Sequence, residues 1–363
     1  MNFLTSLWNT IQSSLFPWLE EELDPLTEQQ KFFVSVLELI NPRPFVHQFE
    51  WIGNGRKPES RLNLLKAFVA KAVYNFPTTE ILVEYLVSCK NLRRLCGWET
   101  SSEIPSLSTF SRAFAQFAES EVLNEIQKAM IGKHYGNKIA GHASRDSSAI
   151  EAREKPAKKQ PKAPKPKGKR GRKKKGEETP PKELTRLEQQ VDRTLKENIA
   201  DLPQVCDIGT KKNSKGHCEH WIGYKLHVDV IDGEIPVSLI LTSASLHDSQ
   251  AAIPLAQMTA ERVTSLYDLM DAAYDAATLR NYIESIGHVA LIDSNPRSGE
   301  KKIMDPAQEV RYNQRTSVER FFSMLKDSHG GRHVRVRGAK KVMTHLMFGA
   351  LVITASQLFR LVV

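Results

Sequence analysis

Apolar positions recur at helical steps through the first third of the chain. Between about Leu26 and Gly132, the stretches LNLLKAFVAKAVYNF and EILVEYLVSCKNLRRL carry that period, and Pro42, Pro44, Pro58 and Pro77 punctuate it. IPSLSTFSRAFAQF reads as a Ser-rich cap entering a helix with Phe110, Phe114 and Phe117 on one face. Further on, Leu184, Leu187, Val191 and Leu195 predict one amphipathic helix through ELTRLEQQVDRTLKENIADL. The run TSLYDLMD changes from apolar residues to an acid, as at the end of a buried strand, and places Asp271 there. The C-terminal run Leu346–Val363 contains Ser356, Gln357 and Arg360, which predicts a buried helix rather than a membrane span. A chain of 363 residues with 40% hydrophobic content has room for two domains, each with its own core.

One helical pattern is chemically equipped. In RYNQRTSVERFFSMLK, Tyr312, Arg315, Glu319 and Lys326 follow one another at steps of three, four and seven, which puts them on one stripe of a helix. Val318, Phe321 and Leu325 fall on another stripe, suited to a core. A carboxylate between an arginine and a lysine suits a metal ion flanked by phosphate-gripping groups. The alternative is a solvated helix face with ordinary ion pairs. Partner carboxylates are available in Asp146, within KIAGHASRDSSAI, and in Asp271. Either aspartate taken singly also fits a turn or a helix cap.

The ordered set of Asp146, then Asp271-Ala-Ala-Tyr-Asp275, then the Tyr-Arg-Glu-Lys helix resembles the signature of bacterial insertion-sequence DDE transposases. WIGYKLHVDVIDGEIPVSLILTSASLHDSQAAIPL resembles the strand pair and loop that these enzymes place between the two aspartates, and HVRVRGAKKVMTHLMFGALV resembles their C-terminal helical end. The resemblance implies an α/β fold: a ribonuclease H-like mixed sheet flanked by helices and preceded by an all-α N-terminal domain. Asp146 would lie on the first strand, Asp271 after the fourth, and Glu319 on a helix beside them. It further implies that the three carboxylates hold two Mg2+ ions, with Mn2+ as a substitute, because two cations roughly 3.5–4 Å apart can stabilise both the attacking and the leaving oxygen. Tyr312, Arg315 and Lys326 would contact phosphates and DNA ends. Lys225 and the pair His247-Asp248 fall in the family-like strands and loop as further candidates. Ala273 stands where many relatives have glycine. The short interval from Asp271 to Glu319 leaves no room for the β-rich insertion of some hairpin-forming transposases.

This chain instead carries its long insertion after Asp146. From Lys155 to Lys175 there are twelve Lys or Arg residues and no acid, and removing those twelve from the formal charge of +9 leaves −3. Dense like charge with interspersed prolines predicts disorder and salt-dependent contact with DNA backbone. Within it, Lys169, Arg170, Arg172 and Lys173 form a Gly-Lys-Arg-Gly-Arg-Lys element that resembles an AT-hook core without its usual proline. Cys206, His217, Cys218, His220 and His227 lack the spacing of a common zinc site, and their segment reads as a turn beside DNA. The absence of a basic, cleavable start predicts reduced thiols in a cytoplasm.

Taken together, the sequence predicts a helical N-terminal domain over residues 1–135 that grips a DNA end or mediates dimerisation. A catalytic domain follows over residues 136–363, interrupted by the basic loop 152–182. The resemblance implies an enzyme that cuts and joins DNA, with terminal inverted repeats and target DNA as partners and a homodimer in the DNA complex. It also implies a bacterial, nucleoid-associated cytoplasmic location away from membranes. Two alternatives stay open: a catalytically silent DNA-binding relative, and a nuclease of the same fold without strand transfer.

Overall fold

Two strand pairings organise the molecule. The computed structural model describes residues 3–55, 57–158, 183–212, 215–295 and 303–361. Its strands are β1 (Ile139–Glu151), β2 (Asp207–Lys212), β3 (Cys218–Ile231), β4 (Ile235–Ser243), β5 (Thr264–Met270) and β6 (Val289–Ile292). β1 lies between antiparallel β3 and parallel β5; β6 runs parallel beyond β5, and β4 pairs antiparallel with β3. This is the ribonuclease H-like mixed sheet with flanking helices that the resemblance implied.

Every residue of β4 is buried, and its apolar run is continuous rather than alternating. The reason is cover on both faces, by the helix Ala252–Ala260 and by the C-terminal helix Ala339–Arg360. That C-terminal helix has the length and composition of a membrane span, yet 83% of its apolar window is buried inside the fold. It is the axis of the molecule. Phe348 on it meets Phe68 of the helix Arg61–Val73 with ring centroids 5.5 Å apart, and Phe68 meets Phe114 of the helix Leu107–Glu119 at 5.1 Å. One hydrophobic cluster therefore runs from Phe33 and Leu64 in the N-terminal helices through Leu351 to Val228 in the sheet. Separate cores for the helical and sheet regions were expected; the C-terminal helix fuses them by filling both.

Three local expectations need correction. The segment after the basic insertion forms two short helices, Arg186–Gln190 and Leu195–Asp201, instead of one. Thr185 and Thr194 each close a capping box with the glutamate three residues on, so a second helix start interrupts the apolar period. The expected turn before Trp221 contains β2, which pairs with residues 218–223 of β3. β3 extends beyond its contact with β4, leaving backbone groups that β2 satisfies. Gly209 permits this pairing to sit under Trp221, since a Cβ there would lie 2.2 Å from the indole ring. Asp271 thus follows the fifth strand in chain order rather than the fourth. Finally, the Tyr-Arg-Glu-Lys stretch is not one uninterrupted α-helix: the helix Pro306–Tyr312 passes through a 3₁₀ turn, Asn313–Arg315, into the helix Thr316–Ser328.

Candidate active site

Strand register brings the two aspartates together. β1 and β5 are parallel with Arg145 opposite Met270, so the next step along each chain sets Asp146 and Asp271 abreast at the end of β5. Asp146 Oδ1 accepts a hydrogen bond from the Ser147 amide at 2.7 Å. Asp271 Oδ1 accepts one from the Ala273 amide at 2.9 Å and caps the turn Ala272–Tyr274. Burial pushes the Asp146 carboxyl up to about 6; the Ser147 amide opposes the shift, Asp271 adds to it, and Arg315 opposes it. Burial raises Asp271 as well, partly offset by the Ala273 amide and by Arg315.

Glu319 reaches the same place through a cation. It stands in the first turn of Thr316–Ser328, whose opposite stripe, Val318, Phe321 and Leu325, is fully buried in the core. Arg315 donates from Nη1 to Asp146 Oδ2 at 3.0 Å and from Nη2 to Glu319 Oε1 at 2.7 Å. Its side chain is only 19% exposed while that of Glu319 is 55% exposed, so the arginine lies inside and the glutamate at the rim. Tyr312 is beside Arg315, its phenol raised by burial. Farther along the helix, Lys326 Nζ donates to Ser148 Oγ on β1 at 2.6 Å. Lys169, Arg170, Arg172 and Lys173 lie outside the described residues.

Lys225 sits differently from the other candidates. Its ammonium is 13% exposed, 2.9 Å from Asp248 Oδ1, and donates to the Leu246 carbonyl at 2.8 Å. Asp248 also accepts from Ser147 Oγ at 2.8 Å. Burial would raise the Asp248 carboxyl, but His227 and Lys225 hold it below the usual carboxylate range. The pair therefore braces Ser147, the immediate neighbour of Asp146. His247, next to Asp248, is exposed and bonds with Ser249 at 2.9 Å.

Several residues escaped the sequence reading. Tyr274 is wholly buried, its hydroxyl has no hydrogen-bond partner among the described residues, and its ionisation is opposed first by burial and then by Asp248, Asp146 and Asp271. Lys211 on β2 lies within electrostatic reach of both Asp271 and Lys326. Missing β2 hid that lysine. On the opposite face of β1, buried Arg145 binds Asp229 at 2.8 and 2.7 Å and Asp268 at 3.1 Å. Alternation along the strand turns Arg145 away from the side of Asp146.

Among the described residues, no three His, Cys, Asp or Glu side chains converge closely enough to hold a metal ion as they stand. Arg315 already engages two of the three acids. The donor chemistry still suits a hard divalent cation: all-oxygen ligands, two of them abreast and desolvated, with an unpartnered buried phenol at their side.

Two family models match the chain. One, a transposase DDE domain, spans residues 194–355; the other, a transposase domain (DUF772), spans residues 21–116. Asp271 and Glu319 fall inside the first span, while Asp146 lies between the two. No curated protein matches this sequence. With a ribonuclease H-like sheet, an acidic centre at its middle strands and these two matches, the chain belongs to the DDE transposases of insertion sequences.

Proposed function

We propose that this protein cuts DNA at the ends of its own insertion sequence and joins the freed 3′-hydroxyl to target DNA, with Asp146, Asp271 and Glu319 as ligands for two Mg2+ ions, replaceable by Mn2+. Metal-dependent cleavage and strand transfer are general to the family. The observation that carries the residue assignment is the β1–β5 register, which sets Asp146 and Asp271 abreast, together with the bridge by which Arg315 brings Glu319 to them.

Bound ions would supply Lewis-acid stabilisation of the attacking and leaving oxygens. The rest follows from the chain's own groups. Two crowded, desolvated aspartates repel each other and are relieved by a cation. Arg315 provides that relief within the protein; for the acids to turn to an ion it must let go, and a phosphate offers its fork a matched bidentate partner. Tyr312 and Lys326 flank the acids on the same helical run and would hold the DNA end. Lys225 acts through Asp248, fixing Ser147 and so the backbone of Asp146, rather than by touching DNA. Residues 1–135 would grip a terminal inverted repeat, residues 136–363 would carry the chemistry, and two copies would pair on two ends.

Cleavage and strand transfer of a labelled fragment carrying the element's end, with Mg2+, test this reading. Intact protein is expected to release a 3′-hydroxyl end and transfer it, and Glu319→Gln to lose both products while still binding DNA. Cleavage without transfer would point to the nuclease alternative. Equal cleavage by Glu319→Gln would remove the carboxylate assignment.

A further inference from the structure

A second charged feature lies away from the acids. A groove of about 720 Å³ opens where the helices Arg61–Val73, Thr79–Ser88 and Leu107–Glu119 meet the segment that follows Thr316–Ser328. Lys71, Arg153, Arg335, Arg337 and Lys341 line it, against a single carboxylate, Glu80. The side chains of Lys71, Arg153, Arg335 and Lys341 make no hydrogen bond or ion pair with another described residue. Burial lowers Lys71 to about 8, with Glu80 opposing the shift. Five cations from three separate stretches of chain repel one another across a concave surface, and among the described residues that line it only one acid offsets them. An arriving polyanion would relieve them all.

Two elements run from the acidic centre to this groove. β1 passes from Asp146 through Ser148 to Glu151, with Arg153 two residues beyond; the helix Thr316–Ser328 passes from Glu319 through Lys326 to His329 and Gly330, which also line the groove. At about 3.3 Å per residue, the five strand steps from Asp146 to Glu151 span about 17 Å, and the bend that carries Arg153 lies beyond them. A duplex rising about 3.4 Å per base pair covers the strand's length in about five base pairs, so the groove lies at least that far from the acids. Lys326 stands between the two ends of this path, bonded to Ser148.

We infer that the groove holds the phosphate backbone of duplex DNA at least about five base pairs inside the end that is cut. The inference rests on the transposase reading above and adds to it a surface that sets where the duplex lies. Its ligand is a run of phosphates on a rigid duplex, not a free anion, because five cations from three stretches of chain line a groove of about 720 Å³.

The test is binding of a fluorescent duplex carrying the element's end, without divalent metal, across a series of salt concentrations. Intact protein is compared with Arg335→Ala/Lys341→Ala, with Arg153→Gln/Arg337→Gln, and with Lys128→Ala as a control, Lys128 being an exposed lysine paired with Glu261. Each double variant is expected to flatten the slope of log affinity against log salt by about 0.9 for each phosphate contact removed, the control not at all. Ethylation interference on intact protein is expected to mark phosphates about five or more base pairs from the end, and the double variants to lose those marks. Unchanged slopes and unchanged marks in both folded double variants would overturn the inference, as would full competition by inorganic phosphate at concentrations that merely match the duplex. If the variants behave as intact protein while Glu319→Gln still abolishes cleavage, the groove fails and the transposase reading stands. If the slopes fall as expected but intact protein never cleaves, the groove stands as a DNA site and the catalytic assignment fails.

Discussion

Adjacent residues Arg145 and Asp146 face opposite sides of β1, and the two sides treat charge in opposite ways. On the inner side, Arg145 is closed in by Asp229 and Asp268, Asp229 also accepts from Thr259 at 2.7 Å, and His288 lies 3.0 Å from Asp268. Burial alone would lower the Arg145 guanidinium, but the two aspartates raise it, so its charge is locked in. On the outer side, Asp146 and the half-exposed Glu319 pair with one guanidinium, Asp271 only feels its charge, and both aspartates are raised. Charge that serves the fold is paired, buried and saturated. The charge that we propose serves chemistry is crowded, partly open and provisionally paired.

The contrast can be broken most severely from the inner side. Arg145→Leu would leave Asp229 and Asp268 buried without the guanidinium that pairs their charge, and urea unfolding is expected to show a loss of about 3–5 kcal/mol. Asp146→Asn on the outer side should do the reverse. The folded-state value near 6 lies above that of the unfolded chain, so the protonated acid favours the fold, and this contribution is present below pH 4 and lost as pH rises through 6. The asparagine variant is therefore expected to gain on the order of 2 kcal/mol over the parent at pH 7, with the difference shrinking towards pH 4 in parallel unfolding curves. A smaller effect sharpens the idea of provisional pairing. Arg315→Ala is expected to tighten Mn2+ binding about tenfold in the absence of DNA, about 1.4 kcal/mol, because the acids lose an internal competitor. Isothermal titration reads it directly; an unchanged or weaker affinity would mean that the arginine does not compete with the ion.

Much of the outer side was legible from side-chain type and spacing. The buried stripe of Val318, Phe321 and Leu325 and an acid at the end of a strand are local patterns with a fixed period, and these survive folding, whereas a 3₁₀ turn at Asn313–Arg315 interrupts the Tyr-Arg-Glu-Lys run. The inner side was not legible. Arg145, Asp229 and Asp268 are far apart in sequence, and nothing local distinguishes them from surface residues; only strand pairing makes them neighbours. The same reason hid the Lys225–Asp248 brace and the role of β2 in bringing Lys211 near Asp271. Capping chemistry at Thr194 was visible in the sequence as Thr-Leu-Lys-Glu, yet the apolar period outweighed it in the prediction of one long helix. The fused core has a different cause: the sequence shows how apolar the C-terminal helix is, but not that it inserts among the N-terminal helices.

The central claim is that Asp146, Asp271 and Glu319 form one metal centre. Mn2+ binding followed by electron paramagnetic resonance, in the presence of the element-end duplex, tests it most directly on Asp146→Asn, Asp271→Asn and Glu319→Gln, with cooperative unfolding as the check on each variant. Loss of bound Mn2+ in all three, with the fold intact, is the expected result. Retention of full Mn2+ occupancy by any one of them would contradict the claim and remove that residue from the centre.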